Sequence, residues 1–104
     1  EAVSYFMWGI ALCMYGRYEE AGERFQTATD MMPEYADAYY TWALGLSGRG
    51  MYDDATEKLR KAIEITPEYS EAYHLWGLVL KELKKDTEAE EMFRKAQEIE
   101  QGEE

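Results

Sequence analysis

The sequence holds one cysteine, one histidine and two prolines in 104 residues, and each scarcity closes off a class of protein. One cysteine makes no internal disulfide, so a stapled secreted scaffold is excluded and an intracellular, cytoplasmic compartment is the default expectation. His74 has no second histidine or cysteine near it in sequence, so metal-ligand spacing is missing. No glycine-rich phosphate loop, Ser-His-Asp set or paired-carboxylate cleft can be assembled, which argues against an enzyme, a cofactor or a bound metal. Positive charge is short: 11 Lys and Arg against 22 Asp and Glu leave a net charge of −11. That field repels nucleic acid and anionic membranes and suits a basic or apolar polypeptide. No uncharged apolar run reaches the roughly 18 residues of a membrane span, so direct membrane insertion is not expected. The first residue is Glu1, which points to a piece of a longer protein whose targeting signal, if any, lies elsewhere.

What is present is helix-forming. Ala, Glu, Leu, Met and Lys are common, Val and Ile are few, and no segment alternates apolar and polar residues over a strand's length. This composition predicts an all-α chain. At 46% apolar residues it folds, and its length allows one domain over 1–104. Pro33-Glu34-Tyr35-Ala36-Asp37-Ala38-Tyr39-Tyr40-Thr41-Trp42 returns 34 residues later as Pro67-Glu68-Tyr69-Ser70-Glu71-Ala72-Tyr73-His74-Leu75-Trp76. The same offset links Ala21, Ala55 and Ala89, then Phe25, Leu59 and Phe93, then Ala28, Ala62 and Ala96. Three copies of one unit follow, over residues 2–35, 36–69 and 70–103. Repetition at this period means a solenoid, and three units are about the fewest that bury a continuous core.

Within each unit apolar residues recur at three- and four-residue steps, break, and recur again, which predicts a helical hairpin. Gly16 and Gly50 stand where the first helix needs a left-handed residue to end. In the third unit Lys84 takes that place, and Asp86 is expected to cap the second helix. Pro33 and Pro67 stop the second helices of the first two units. Gly9, Ala43 and Gly77 are expected to face Ala21, Ala55 and Ala89 so that backbones approach closely. The Tyr and Trp residues at helical spacing read as core, Cys13 as a small hydrophobe, and the acidic runs as solvated helix faces.

These motifs resemble those of the tetratricopeptide repeat (TPR) family. Its pattern of aromatic, Leu-Gly, Tyr, Ala, Phe, Ala and Pro is met by Tyr5, Trp8-Gly9, Leu12, Ala21, Phe25, Ala28 and Pro33. It recurs as Tyr39, Trp42-Ala43, Leu46, Ala55, Leu59, Ala62 and Pro67, and as Tyr73, Trp76-Gly77, Leu80, Ala89, Phe93 and Ala96. Trp stands where Leu is usual, Ala43 replaces one Gly, and Gln101 falls where a third Pro would be. The resemblance implies an α-α superhelix (solenoid) of three TPR hairpins, wound right-handed. It also implies a protein–protein interaction scaffold, with a groove lined by the first helix of each hairpin.

The implied groove comprises Val3, Phe6, Met7, Ile10, Cys13 and Met14, then Asp37, Tyr40, Thr41 and Leu44, then Glu71, His74, Leu75 and Leu78. Some TPR domains clamp the terminal carboxylate of a chaperone tail with basic residues. Here the matching positions are Phe6, Ile10, Thr41, Glu71 and Leu75. None is basic, so a carboxylate clamp is not expected. An apolar groove in an acidic body fits a helical or extended apolar segment, or a basic amphipathic one. Residues 2–15 carry no charge, so part of this first helix is expected to be exposed as an interface, for a foreign partner or for a homodimer. Glu90 and Gln97, where the second unit has Thr56 and Ile63, suit a capping last helix. A C-terminal segment of a longer array is the remaining alternative.

Overall fold

The structure, a computed structural model, describes residues 1–102; residue 103, where the third repeat was expected to end, lies outside the described residues. Among the described residues there are six helices and no strand. They are α1 (Ala2–Met14), α2 (Tyr18–Met31), α3 (Ala36–Gly48), α4 (Tyr52–Ile65), α5 (Ser70–Glu82) and α6 (Asp86–Gly102). They pair as hairpins, α1 with α2, α3 with α4 and α5 with α6.

Each hairpin turns by the same hydrogen bonds. The Arg17 N–H donates to the Leu12 carbonyl at 2.9 Å, Met51 to Leu46 at 2.9 Å and Lys85 to Leu80 at 2.9 Å. These bonds close the last turn of the first helix and require a left-handed residue just before them. Gly16 (φ 76°) and Gly50 (φ 80°) supply it without strain, whereas Lys84 adopts φ 64° against the clash of its own Cβ. The expectation for Asp86 needs correction. Asp86 is the first helical residue, and the Lys85 carbonyl accepts the first bond of α6, from the Ala89 N–H at 2.9 Å. Lys85 therefore holds the position that Arg17 and Met51 hold before α2 and α4, and Asp86 acts through its charge at the helix N-terminus.

α2 and α4 stop two residues short of Pro33 and Pro67, at Met31 and Ile65. With Gln101 in place of a proline, α6 runs for 17 residues against 14 in each of the other two. This extension later brings a carboxylate to the groove.

The core lies between the helices of each hairpin and continues across the hairpins. Leu12, Ala21 and Phe25 form one cluster, and Ala43, Ala55, Leu59, Ala72, Leu75 and Val79 form the other. The contact at the small residues differs from the expected one. A Cβ built on Gly9 would lie 2.7 Å from the Phe25 ring, and one on Gly77 would lie 2.5 Å from the Phe93 ring. It is therefore an aromatic ring of the second helix, rather than Ala21 or Ala89, that presses closest on the glycine. In the middle hairpin Ala43 and the smaller Leu59 share one cluster instead. Gly with Phe and Ala with Leu are two ways of filling one space.

The first helices of successive hairpins bring Cα atoms within 8 Å of each other, α1 with α3 and α3 with α5, whereas α2, α4 and α6 do not. Closer spacing on one side curves the array toward that side. α1, α3 and α5 consequently line the inner face.

The aromatic residues also require one correction. Trp42 packs against Phe25 at 6.3 Å between ring centroids and lies under the Lys58 ammonium at 4.1 Å. Trp8 occupies the same position in α1 and lies under the Arg24 guanidinium at 3.8 Å, but none of the described helices covers its outer side and the residue is 48% exposed. Tyr15 and Tyr18 are also exposed rather than core.

Candidate protein-interaction groove

The inner face is built from four registers of the repeated helix. Positions 3, 37 and 71 start each inner helix, and positions 6, 40 and 74 follow one turn later. Positions 7, 41 and 75 lie beside them, and positions 10, 44 and 78 a further turn along. Inner-helix side chains at these spacings share a face because they lie three and four residues apart.

The second register is half wall and half core. Phe6 leans on Phe25 with centroids 6.2 Å apart and on Tyr35 at 5.0 Å. Tyr40 packs against the central cluster and meets Tyr69 at 5.2 Å, and His74 meets Phe93 at 5.3 Å. Ile10 packs on the Leu12–Ala21–Phe25 cluster and is half-buried, as is Thr41. Val3, Met7, Leu44 and Leu78 are open, with exposures of 50%, 58%, 43% and 46%. Met14 is exposed near the end of α1. Glu71 and His74 are exposed on α5. Leu75 differs from the expectation for a groove residue: at 6% exposure it belongs to the central cluster and gives the groove its floor.

Asp37 and Tyr69 tie the α3 end of the groove to the segment between α4 and α5. The Tyr69 hydroxyl donates to Asp37 Oδ1 at 2.6 Å. Burial first, then this bond and the nearby charges of Asp37 and Glu71, push the Tyr69 phenol far above its ordinary value of 10.0. The Tyr40 phenol is raised by burial and then by Glu71, and that of Tyr35 by burial and then by Asp37. Burial raises the Cys13 thiol as well, so this cysteine is a poor nucleophile.

Two adjoining cavities lie along the groove between α3 and α5. One, of ≈ 600 Å³, is lined by Leu44, Ser47, Gly48, Tyr52, Leu75, Leu78, Val79, Lys81 and Glu82. The other, of ≈ 310 Å³, is lined by Tyr40, Leu44, Glu71, His74, Leu75, Leu78 and Glu100. Leu44, Leu75 and Leu78 are common to both. Of the residues read from sequence, Tyr40, Leu44, Glu71, His74, Leu75 and Leu78 come together here. Val3, Phe6, Met7, Ile10 and Met14 lie on α1, and Thr41 is on α3 outside both cavities. Sequence reasoning missed Glu100, although Gln101 at the proline position already implied a longer last helix. No group of three or more His, Cys, Asp or Glu able to hold a metal is found among the described residues.

Residues 70–102 match a family model described as tetratricopeptide repeat. A crystal structure of MamA matches 99% of this chain at 33% identity with a TM-score of 0.95. Residues 70–102 are a tetratricopeptide repeat, and the whole chain has that fold. A second MamA crystal structure matches 97% of this TPR chain at 34% identity and a TM-score of 0.92. This chain spans 60% and 55% of the length of those two MamA chains. The second TPR of Spaghetti (RPAP3), solved bound to the HSP90 peptide SRMEEVD, matches 95% of this chain and is itself covered to 92%. At 23% identity and a TM-score of 0.89 it shows a shared fold. No curated protein sequence matches the chain. TPR proteins are in general non-catalytic scaffolds, and no helix among the described residues is long and apolar enough to cross a membrane.

Proposed function

We propose that this TPR domain is a non-enzymatic protein-interaction module that docks an apolar or basic amphipathic segment of another protein on its inner face, without a carboxylate clamp. The observation that carries the reading is the open apolar strip of Val3, Met7, Leu44 and Leu78 on the three helices that face inward. Exposed apolar surface on a curved face is what a partner's apolar stripe covers. The clamp positions support the second half of the reading. Phe6, Ile10, Thr41, Glu71 and Leu75 offer no cation to a terminal carboxylate, and Glu71 repels one. Peptides selected on the immobilised domain should lose binding to Met7→Asp and Leu78→Asp and keep it with Asp54→Lys on α4. Selected peptides indifferent to both groove substitutions would refute the reading.

A second reading has its own observation. Trp8, Met14 and Tyr15 are all exposed on or just beyond α1, which favours self-association through that helix. Light scattering over a range of concentrations separates the two: a dimer dissociated by Trp8→Glu supports self-association, and a monomer throughout rejects it.

A further inference from the structure

The smaller groove cavity combines features that the apolar strip alone does not explain. Glu71 projects from the first turn of α5, and Glu100 reaches the same cavity from the extended end of α6. Among the described residues neither carboxylate belongs to an ion pair; the two pairs present are Arg17 with Glu20 and Lys58 with Glu57, both outside the groove. The rest of the lining is the aromatic pair Tyr40 and His74 and the leucines Leu44, Leu75 and Leu78, with Leu75 buried. Glu71 also contributes to raising the Tyr40 and Tyr69 phenols, so its negative field reaches these aromatic rings.

We infer that this cavity is a subsite for a lysine or arginine side chain of the partner, carried on a helix whose neighbouring aliphatic side chain fills the larger cavity beside it. The inference rests on the groove reading above and names the partner's chemistry. Two carboxylates beside an apolar floor suit a cation with an aliphatic stem: the stem lies on Leu44 and Leu78 while the head meets Glu71 and Glu100. The Tyr40 ring adds a face on which a cation rests favourably. The larger cavity carries both Lys81 and Glu82 and so holds no excess of negative charge, which leaves an aliphatic side chain as its better occupant. A helix fits better than an extended strand because the shared floor presents leucines and nothing that satisfies a strand's free N–H and C=O groups. The domain's net charge of −11 steers such a segment toward it.

The test uses two capped helical peptides of about 14 residues, or four turns, one of leucine and lysine in amphipathic register and one with glutamine for every lysine. Calorimetric titration is run on the parent domain, on the Glu71→Gln/Glu100→Gln variant, on Leu44→Asp/Leu78→Asp, and on Asp53→Asn/Asp54→Asn as a control for overall charge. The expected result is that the lysine peptide binds at least about ten-fold more tightly than the glutamine peptide. The Glu71→Gln/Glu100→Gln variant should lose that advantage, and the Asp53→Asn/Asp54→Asn control should keep it. If both double-neutral variants weaken the lysine peptide equally, the attraction is diffuse and the subsite is refuted. Equal binding of both peptides to the parent overturns the subsite, and so does failure of the lysine peptide to bind. If the lysine peptide is lost only in Leu44→Asp/Leu78→Asp, the groove reading survives and the subsite falls. If Leu44→Asp/Leu78→Asp leaves its binding unchanged, the groove reading fails and the subsite with it.

Discussion

The pairing of Gly9 with Phe25 can be tested against the domain's own middle repeat. A Cβ on Gly9 would sit 2.7, 2.9 and 3.0 Å from three ring atoms of Phe25, where carbon atoms settle at about 3.5–4.0 Å. The ring must retreat by most of an ångström, yet it is 1% exposed and held between Phe6 and Trp42. Overpacking of this kind costs about 1–3 kcal/mol, against which alanine in a helix interior gains about 1 kcal/mol over glycine. Gly9→Ala should therefore destabilise the domain by about 1 kcal/mol. Phe25→Leu leaves unfilled space and should cost about 1–2 kcal/mol, less than the ~3–5 kcal/mol of truncation to alanine. The double variant recreates the Ala43 and Leu59 combination of α3 and α4, so the two changes should be coupled favourably by about 1–2 kcal/mol. Urea unfolding followed by far-UV circular dichroism, with the slope checked for constancy, measures all four corners of the cycle. If the single effects add to within about 0.5 kcal/mol, or if Gly9→Ala stabilises by its full helix propensity, the ring is not confined and the reasoning fails.

Lys84→Gly should raise the urea midpoint, stabilising by about 0.5–1 kcal/mol, because the exposed Lys84 gives up a left-handed strain without losing a buried contact. An unchanged midpoint would mean that the strain is absorbed elsewhere. Tyr69→Phe removes the bond to Asp37 and should cost about 1 kcal/mol at neutral pH. The Tyr69 phenol is raised on folding, so the stability it brings is fully present below pH 10 and falls as rising pH ionises the unfolded chain first. The drop in urea midpoint between about pH 8 and pH 11 should accordingly be smaller in Tyr69→Phe than in the parent; an equal drop would remove Tyr69 as its source. Leu78→Asp, on an open position, should stay within about 0.5 kcal/mol of the parent, whereas Ile10→Asp, packed on the Phe25 cluster, should cost at least ~2 kcal/mol. Equal losses in thermal unfolding would contradict the division between strip and core.

The fold was legible because three copies in one register leave little freedom. The 34-residue offset, the two glycines at the turns and the two prolines between hairpins each state a backbone requirement that a side-chain substitution cannot hide. Local geometry was less legible wherever one residue type serves two roles. Asp86 reads as a cap from propensity, but the register of the turn is set by the Lys85 N–H donating to Leu80, which places the aspartate one position inside the helix. Trp8, Trp42 and Trp76 are identical in sequence and unequal in burial, because burial depends on whether another hairpin precedes the ring. The groove residues on α1 and α3 could be placed by register. Glu100 could not be joined to Glu71 without knowing how the last turn of α6 meets α5. That juxtaposition belongs to tertiary packing and has no sequence period.

Differences among the three copies carry information that their likeness does not. Where two helices of a hairpin meet, the copies agree: Ala21, Ala55 and Ala89 are buried, as are Ala28, Ala62 and Ala96. The inner face sets one backbone with unlike side chains: Val3, Asp37 and Glu71 at one register, Phe6, Tyr40 and His74 at the next, Cys13, Ser47 and Lys81 further along. Packing inside a hairpin admits exchanges that refill one space, such as Gly with Phe for Ala with Leu, and does not account for the change of charge along the inner face. A single bound segment meets each copy at a different point along its own length, and so calls for different chemistry in each. The progression from an uncharged α1 to a charged α5 therefore fits one asymmetric partner lying across all three hairpins, its purely apolar end on α1 and its basic end beside Glu71 and Glu100. Binding should then depend on the order of residues in that segment as well as on its composition. A reversed-sequence lysine–leucine peptide of unequal ends that bound as tightly as the forward one would refute a directional groove.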